Sequence, residues 1–200
     1  MIEFKGFDKI ARLSRGCAIT EKIDGTNAQI FITEEGEFYT GSRTRWITPE
    51  DDNFGFSRWA HEHKAELMQL GPGQHFGEWW GCGIQRTYGL QEKRFSLFNT
   101  SRWCADVQMP PSCCSVVPVL YSGIFTSTAV DDALALLRER GSMAAPGFMR
   151  PEGVVVYQSA GRCYFKKTLE KDDEPKSRND KSNPSGDART RTSTNHRSEE

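Results

Sequence analysis

The stretch "CAITEKIDGTNAQIFIT", residues 17–33, constrains this chain more than any other. Its apolar side chains recur every second residue on both sides of an Asp-Gly dipeptide, a period that fits a pleated strand and not a helix. Six further runs share the β-branched and aromatic character of strands: "GEFYTGS", "HFGEWW", "RFSLFN", "VVPVLYSG", "GVVVYQS" and "CYFKK". The first three strands, joined through Asp24-Gly25 and Glu35-Gly36, are predicted to form an antiparallel meander. Two helices are predicted. "FSRWAHEHKAELMQL" has helical spacing and stops at Gly71-Pro72-Gly73. "AVDDALALLRERG" carries acids near its start, arginines near its end and a terminating Gly141. Many antiparallel strands with few helices define an α+β domain.

The chain has 200 residues, enough for one ordinary domain with one substantial core. From Asp172 to Glu200 there is no aromatic, aliphatic or sulfur side chain larger than that of Ala188, so the expected organisation is a folded domain over 1–171 and a disordered polar tail over 172–200. A net charge of −1 argues against gripping a polyanion by bulk electrostatics, and any nucleic-acid contact has to be a local patch. The start, "MIEFKGFDKI", is not patterned as a targeting segment, and no run is long enough to cross a bilayer. A cytoplasmic location without membrane association is therefore expected. The cysteines at 17, 82, 104, 113, 114 and 163 lack zinc-ligand spacing and are expected to be reduced thiols. His61 and His63 stand two apart on the first helix and do not face each other, and His75 has no partner in view, which argues against a histidine metal site.

Alternation places Ile19, Glu21 and Ile23 on one face of the first strand and Ala18, Thr20 and Lys22 on the other. Lys22 thus points to solvent or to a cleft between sheets. A free lysine, with pKa near 10.4, is protonated at neutral pH and needs desolvation or neighbouring positive charge to become a nucleophile. Glu78 sits between Gly77 and two tryptophans, where a lone carboxylate is costly to bury without a partner. Of Trp79 and Trp80, core is the expected place for both. Glu152 precedes a valine run that reads as a buried strand.

These residues carry a resemblance. Lys22-Ile23-Asp24-Gly25-Thr26-Asn27 resembles the K-x-D-G-x-N element of covalent nucleotidyltransferases: ATP-dependent RNA and DNA ligases and the guanylyltransferases that cap messenger RNA. In the order of that superfamily follow "GSRTRW", "FGEWWG", "RFSLF", "RPEGVVVY" and "YFKKTLE", covering about 16–171. The wording of "EWWGCGIQRTYGL" is similar to RNA ligases of the type found in T-even phages and their viral and bacterial relatives. The resemblance implies an ATP-grasp-like nucleotidyltransferase domain whose antiparallel sheets enclose a nucleotide cleft between flanking helices.

By the same resemblance, Lys22 is the nucleophile that takes AMP from ATP. Glu21 and Asn27 hold adenine and ribose or phosphate, and Glu78 meets a ribose hydroxyl. Arg43 binds ribose or an incoming 5′-phosphate, with Arg45 in competition. Phe98 stacks on the purine, with Phe95 as the near alternative; relatives often have Phe-Asp where this chain has Phe98-Asn99. Glu152 binds Mg²⁺ or Mn²⁺. Relatives carry lysine, any residue, lysine in the last element, whereas Lys166 and Lys167 are adjacent and point to opposite faces. Lys166 is the one expected to neutralise the α-phosphate, with Lys167 in reserve. The implied activity is ATP-dependent joining of RNA 3′-hydroxyl and 5′-phosphate ends. The alternatives are a DNA ligase, a GTP-dependent guanylyltransferase and a non-catalytic nucleotide- or RNA-binding module. Relatives commonly append a second domain that seats nucleic acid, so an accessory protein in that role is also expected.

Overall fold

A computed structural model describes residues 2–170, so the expected tail over 172–200 lies outside the described residues. Ten strands form two sheets. The first takes β1 (Gly16–Lys22), β8 (Val119–Ile124), β9 (Gly153–Gln158) and β10 (Cys163–Thr168) in the order β10-β9-β1-β8. The second takes β2 (Thr26–Ile32), β3 (Phe38–Ser42), β4 (Trp46–Ile47), β5 (Gly73–Gly81), β6 (Lys93–Leu97) and β7 (Cys114–Val116) in the order β4-β3-β2-β5-β6-β7. All pairings are antiparallel except β6 with β7. The α+β class and the antiparallel sheets agree with the sequence reading.

Four local expectations are corrected. The strands around Asp24-Gly25 do not pair: β1 joins β8 and β9, while β2 joins β3 and β5. Asp24-Gly25 is a crossing between sheets, because its backbone N–H groups are taken by side chains, Asp24 by the Tyr88 hydroxyl at 2.7 Å and Gly25 by Glu78 Oε1 at 3.0 Å. The second half of the expected meander, β2 with β3, does form. "VVPVLYSG" is likewise divided at Val117-Pro118, with β7 in one sheet and β8 in the other. Proline lacks the N–H a ladder needs, which suits it to such a break. The expected helix over 56–70 is interrupted at His63 (φ −100°), leaving α1 (Phe56–Glu62), α2 (Lys64–Leu67) and a 3₁₀ turn at Met68–Leu70. The last helix, α3 (Ser127–Arg140), starts earlier than predicted because the Thr126 hydroxyl caps it, accepting from the Ala129 N–H at 3.0 Å.

Each sheet buries one face under helices. α1 and α2 cover the second sheet through Phe56, Ala60 and Leu67 packed on Ala28, Ile30, Trp79 and Phe95. α3 covers the first sheet through Val130, Leu134 and Leu137 on Cys17, Ile19, Val154 and Val156. A third apolar group, Ile23, Trp80, Tyr88, Val117 and Ala145, gathers residues of the two crossing segments. The helix-free faces carry Thr20 and Lys22 on β1 and Asn27 and Gln29 on β2. All six cysteines are free.

The crossing leaves no space for a side chain at residue 25. A Cβ there would lie on the Trp79 carbonyl oxygen and 2.7 Å from Trp80 Cβ. Gly25→Ala is therefore expected to destabilise the domain by at least about 1–3 kcal/mol, measured by urea denaturation, as for other overpacked cores.

Candidate active site

Lys22 ends β1, and its Nζ donates to Glu152 Oε2 at 2.6 Å. The lysine side chain is 21% exposed and the glutamate 5%, so the pair sits at the rim of the interior and not in open water. The backbone makes this contact possible because Lys22 and Gly153 are directly paired, and Glu152 is the residue that leads into β9. Gly153 (φ 153°) is itself without room for a side chain, since a Cβ would meet the backbone of Lys167 and Thr168.

Glu78 approaches from the other sheet. Its two carboxylate oxygens accept from the Gly25 N–H at 3.0 Å and from the Asn27 side-chain amide at 3.3 Å. Burial pushes its pKa up from 4.5 to about 7; the Lys22 charge and the Gly25 bond pull it partly back, and Glu152 and Asp24 push it up further. Lys22 thus acts on both carboxylates, through a 2.6 Å hydrogen bond to Glu152 and as a nearby charge that lowers the titration of Glu78.

The basic strand discriminates its two lysines. Lys166 pairs with Val155, which pairs with Thr20, so Lys166 projects on the Lys22 face. Lys167 pairs with Val154 on the α3 face and is held by Asp131 of α3 at 3.0 Å. The two arginines also part. Arg45 makes a two-pronged ion pair with Asp51 at 2.5 and 2.9 Å, whereas Arg43 is exposed and has no ion pair among the described residues. Arg43 follows Ser42, the partner of Ala28, which places it on the Asn27 side of the sheet. Phe95 is fully buried in the helix-covered core, while Phe98 is 37% exposed. Trp79 and Trp80 are both buried, their indole N–H groups donating to the Phe54 carbonyl and to Ser96 Oγ.

The Glu21 side chain is not brought to this cluster. It is buried on the face opposite Lys22, where it accepts from Ser142 Oγ and from the N–H groups of Met143 and Ala144 at 2.5–2.9 Å. A strand sends adjacent side chains to opposite faces, so the residue beside Lys22 can reach the Lys22 face through its backbone alone. The three histidines among the described residues bind backbone: His61 to the Ser57 carbonyl, His63 to the Trp59 carbonyl and His75 to the Gly71 carbonyl.

Three participants were missed from sequence. Asp24 is clamped by Arg86 Nε at 2.9 Å, and Arg86 also reaches the Arg150 carbonyl at 3.0 Å. Tyr88, buried with φ 54°, completes the clamp; burial pushes its phenol pKa up, keeping it a hydrogen donor or acceptor. Phe76, two residues before Glu78 and therefore on its face, is 50% exposed and receives the Phe98 N–H at its carbonyl. Period-two counting back from Glu78 would have found Phe76; nothing local announces Arg86 or Tyr88.

The residues fit a nucleotide and a hard divalent cation. Glu152 and Glu78 offer the oxygen ligands that Mg²⁺ or Mn²⁺ takes. No group of three or more His, Cys, Asp or Glu side chains is placed to hold a metal among the described residues. An ion here would draw the rest of its shell from phosphate and water oxygens, the usual habit of Mg²⁺.

Residues 16–171 match the profile of the RNA ligase family. No curated protein matches the chain in sequence. The fold is similar to that of an archaeal ATP-dependent RNA ligase, at 23% identity and a TM-score of 0.55, over 82% of this chain and 48% of that one. It is also similar to variants of Naegleria gruberi RNA ligase. One is apo, at 18% identity and a TM-score of 0.53; another holds AMP and Mn, at 17% and 0.54. Each match covers 78% of this chain and 50% of that one. The chain spans about half the length of these structures.

The raised Glu78 pKa fixes a pH dependence. A carboxylate whose folded pKa of about 7 exceeds its unfolded value of 4.5 contributes stability below pH 4.5 that is lost as pH rises through 7. Glu78→Gln removes that loss and is expected to raise unfolding free energy at pH 8 by about 1–3 kcal/mol. The gain should vanish below pH 4.5, read by denaturant titration at each pH.

Proposed function

The chain belongs to the RNA ligase family, and from that premise we propose that it is an ATP-dependent RNA ligase that works through a lysyl-AMP intermediate on Lys22. The observation that carries this reading is Lys22 Nζ at 2.6 Å from Glu152 Oε2, on the face that also bears Lys166.

The first step needs an unprotonated amine. Glu152 bonds the Lys22 ammonium and so favours its charged form; the charge of Lys166, and a cation on Glu152 when one is bound, would favour the free amine, its proton leaving to water. Nζ then attacks the α-phosphorus of ATP, forming a P–N bond as the bond to the bridging oxygen breaks and pyrophosphate departs with that electron pair. Lys166 is positioned to neutralise charge on the phosphate oxygens during this transfer. In the second step a 5′-phosphate oxygen of RNA displaces Lys22 from the AMP phosphorus, and the amine recovers a proton. In the third, an RNA 3′-hydroxyl attacks the activated 5′-phosphorus, forming the phosphodiester and releasing AMP. Alignment and charge neutralisation carry most of such a reaction.

Glu78 and Asn27 are the residues we assign to the ribose hydroxyls, which would add donors to a carboxylate that burial makes costly to ionise. Phe98, with Phe76 beside it, offers an exposed ring for stacking the purine. Arg43 is free to take a 5′-phosphate as a planar fork, while Arg45 is engaged by Asp51. Glu152 would hold Mg²⁺ or Mn²⁺, which supplies further charge neutralisation at the phosphates; the similar Naegleria structures with ATP and Mn or AMP and Mn support this. We place the reaction in the cytoplasm, with an accessory protein as a candidate for helping seat the RNA.

Incubation with ATP labelled at the α-phosphate, followed by denaturing electrophoresis, tests the reading. Label is expected on the wild-type chain and absent from Lys22→Ala. Lys166→Ala should slow labelling roughly 10²–10³-fold, whereas Lys167→Ala, which loses only an exposed ion pair, should stay within about fivefold. Label from GTP alone would make the chain a guanylyltransferase. No label from either nucleotide would leave a binding module.

A further inference from the structure

Beyond the nucleotide site, the same face of the second sheet carries aromatic rings that the adenylylation chemistry does not use. Phe31, Tyr39 and Trp46 come from three neighbouring strands, β2, β3 and β4, and lie in mutual contact with centroids 5.9–6.3 Å apart. Pairing registers place them on one face: Phe31 opposite Tyr39, and Trp46 opposite Gly41, which is opposite Gln29. Tyr39 is 43% exposed and Trp46 52%, so the cluster is an open surface. β4 is a two-residue edge strand, and Trp46 gains little there by being indole: the helix-covered core lies on the other face.

That surface continues the candidate active site. Asn27, Gln29 and Phe31 share a face of β2, and Gln74, Phe76 and Glu78 share the adjoining face of β5. Phe31 lies four residues from Asn27, about 13 Å along the strand, or roughly four stacked nucleotides at a rise near 3.4 Å. The facing charges are mixed in a graded way. Arg43 stands at the active-site end, Arg45 beside Trp46 is engaged by Asp51, and Glu37 accepts from the Tyr39 hydroxyl at the distal end. Phosphates are thus favoured toward Arg43, and the distal end favours uncharged base faces.

We infer that Phe31, Tyr39 and Trp46 form a stacking platform for unpaired bases of the RNA strand whose end reaches Asn27 and Glu78. The inference rests on the RNA ligase reading and adds to it a preference for single-stranded over duplex ends. Aromatic side chains stack on unstacked bases, and every base has a face to offer, so the platform binds without strong sequence preference. A regular duplex keeps its bases stacked on one another and leaves these rings without a partner.

The test uses the full chain and fluorescence anisotropy with labelled RNA, with ATP labelling of the protein measured in parallel. Tyr39→Ala and Trp46→Ala are each expected to weaken binding of a single-stranded RNA by roughly tenfold or more. They should leave binding of duplex RNA and the rate of ATP labelling unchanged. Trp46→Phe, which keeps a ring, should restore most of the affinity. An RNA of only about two nucleotides, too short to reach from Asn27 to Phe31, should not distinguish the variants from wild type. Unchanged single-strand affinity in the Tyr39→Ala, Trp46→Ala double variant overturns the inference. So does an equal loss for duplex RNA, or a change in self-association by sedimentation with RNA binding intact, which would assign the rings to a protein interface. Failure of the ligase reading is separate: it appears as absent ATP label in the wild-type chain, whatever the RNA affinities.

Discussion

The site is organised around the Lys22 ammonium, which bonds Glu152 and lowers the titration of Glu78. Lys22 faces Glu152 at 2.6 Å, and Glu78 lies close enough for both to shift its titration, so two buried carboxylates lean on one ammonium. Buried ion pairs repay their desolvation poorly, which makes such an arrangement weak evidence for stability. It suits the proposed site, in which a ribose hydroxyl would meet Glu78 and a cation would take Glu152 and loosen its hold on the lysine.

Two crossings of the chain create this arrangement. At Asp24-Gly25 the chain leaves β1 in one sheet and enters β2 in the other, carrying Lys22 and Asn27 to facing surfaces within six residues. Val117-Pro118 repeats the exchange between β7 and β8. The first crossing is fixed by side chains from distant segments: Glu78 and Tyr88 take the two backbone N–H groups, and Arg86 holds the Asp24 carboxylate. Gln85, Thr87 and Tyr88 all adopt positive φ in the segment that provides this clamp. Backbone in that region is costly for residues other than glycine and persists where the surroundings over-determine it.

Much of the architecture was legible because strands write their faces into the sequence. Alternation separated Ile19 and Glu21 from Lys22, and it separated Lys166 from Lys167; the paired registers keep both separations. The same rule explains why Glu21, next to the lysine, has its carboxylate among Ser142, Met143 and Ala144. What misled was the Asp-Gly dipeptide, whose local chemistry favours a hairpin turn. Turn propensity is worth little against a buried carboxylate and a phenol that together claim the turn's hydrogen bonds.

By itself, then, the sequence determined most of the strands, the face their side chains take and which family the chain belongs to, since these follow from period-two patterning and from short motifs in a fixed order; the two-residue β4 is too short to carry such a pattern. The tertiary structure alone decided which strands pair, which arginine is free and which phenylalanine is exposed. Arg43 and Arg45, like Phe95 and Phe98, are nearly equivalent in local chemistry. Their difference lies in Asp51 and in the helices packed on one sheet face, contacts made across the fold that no local spacing encodes.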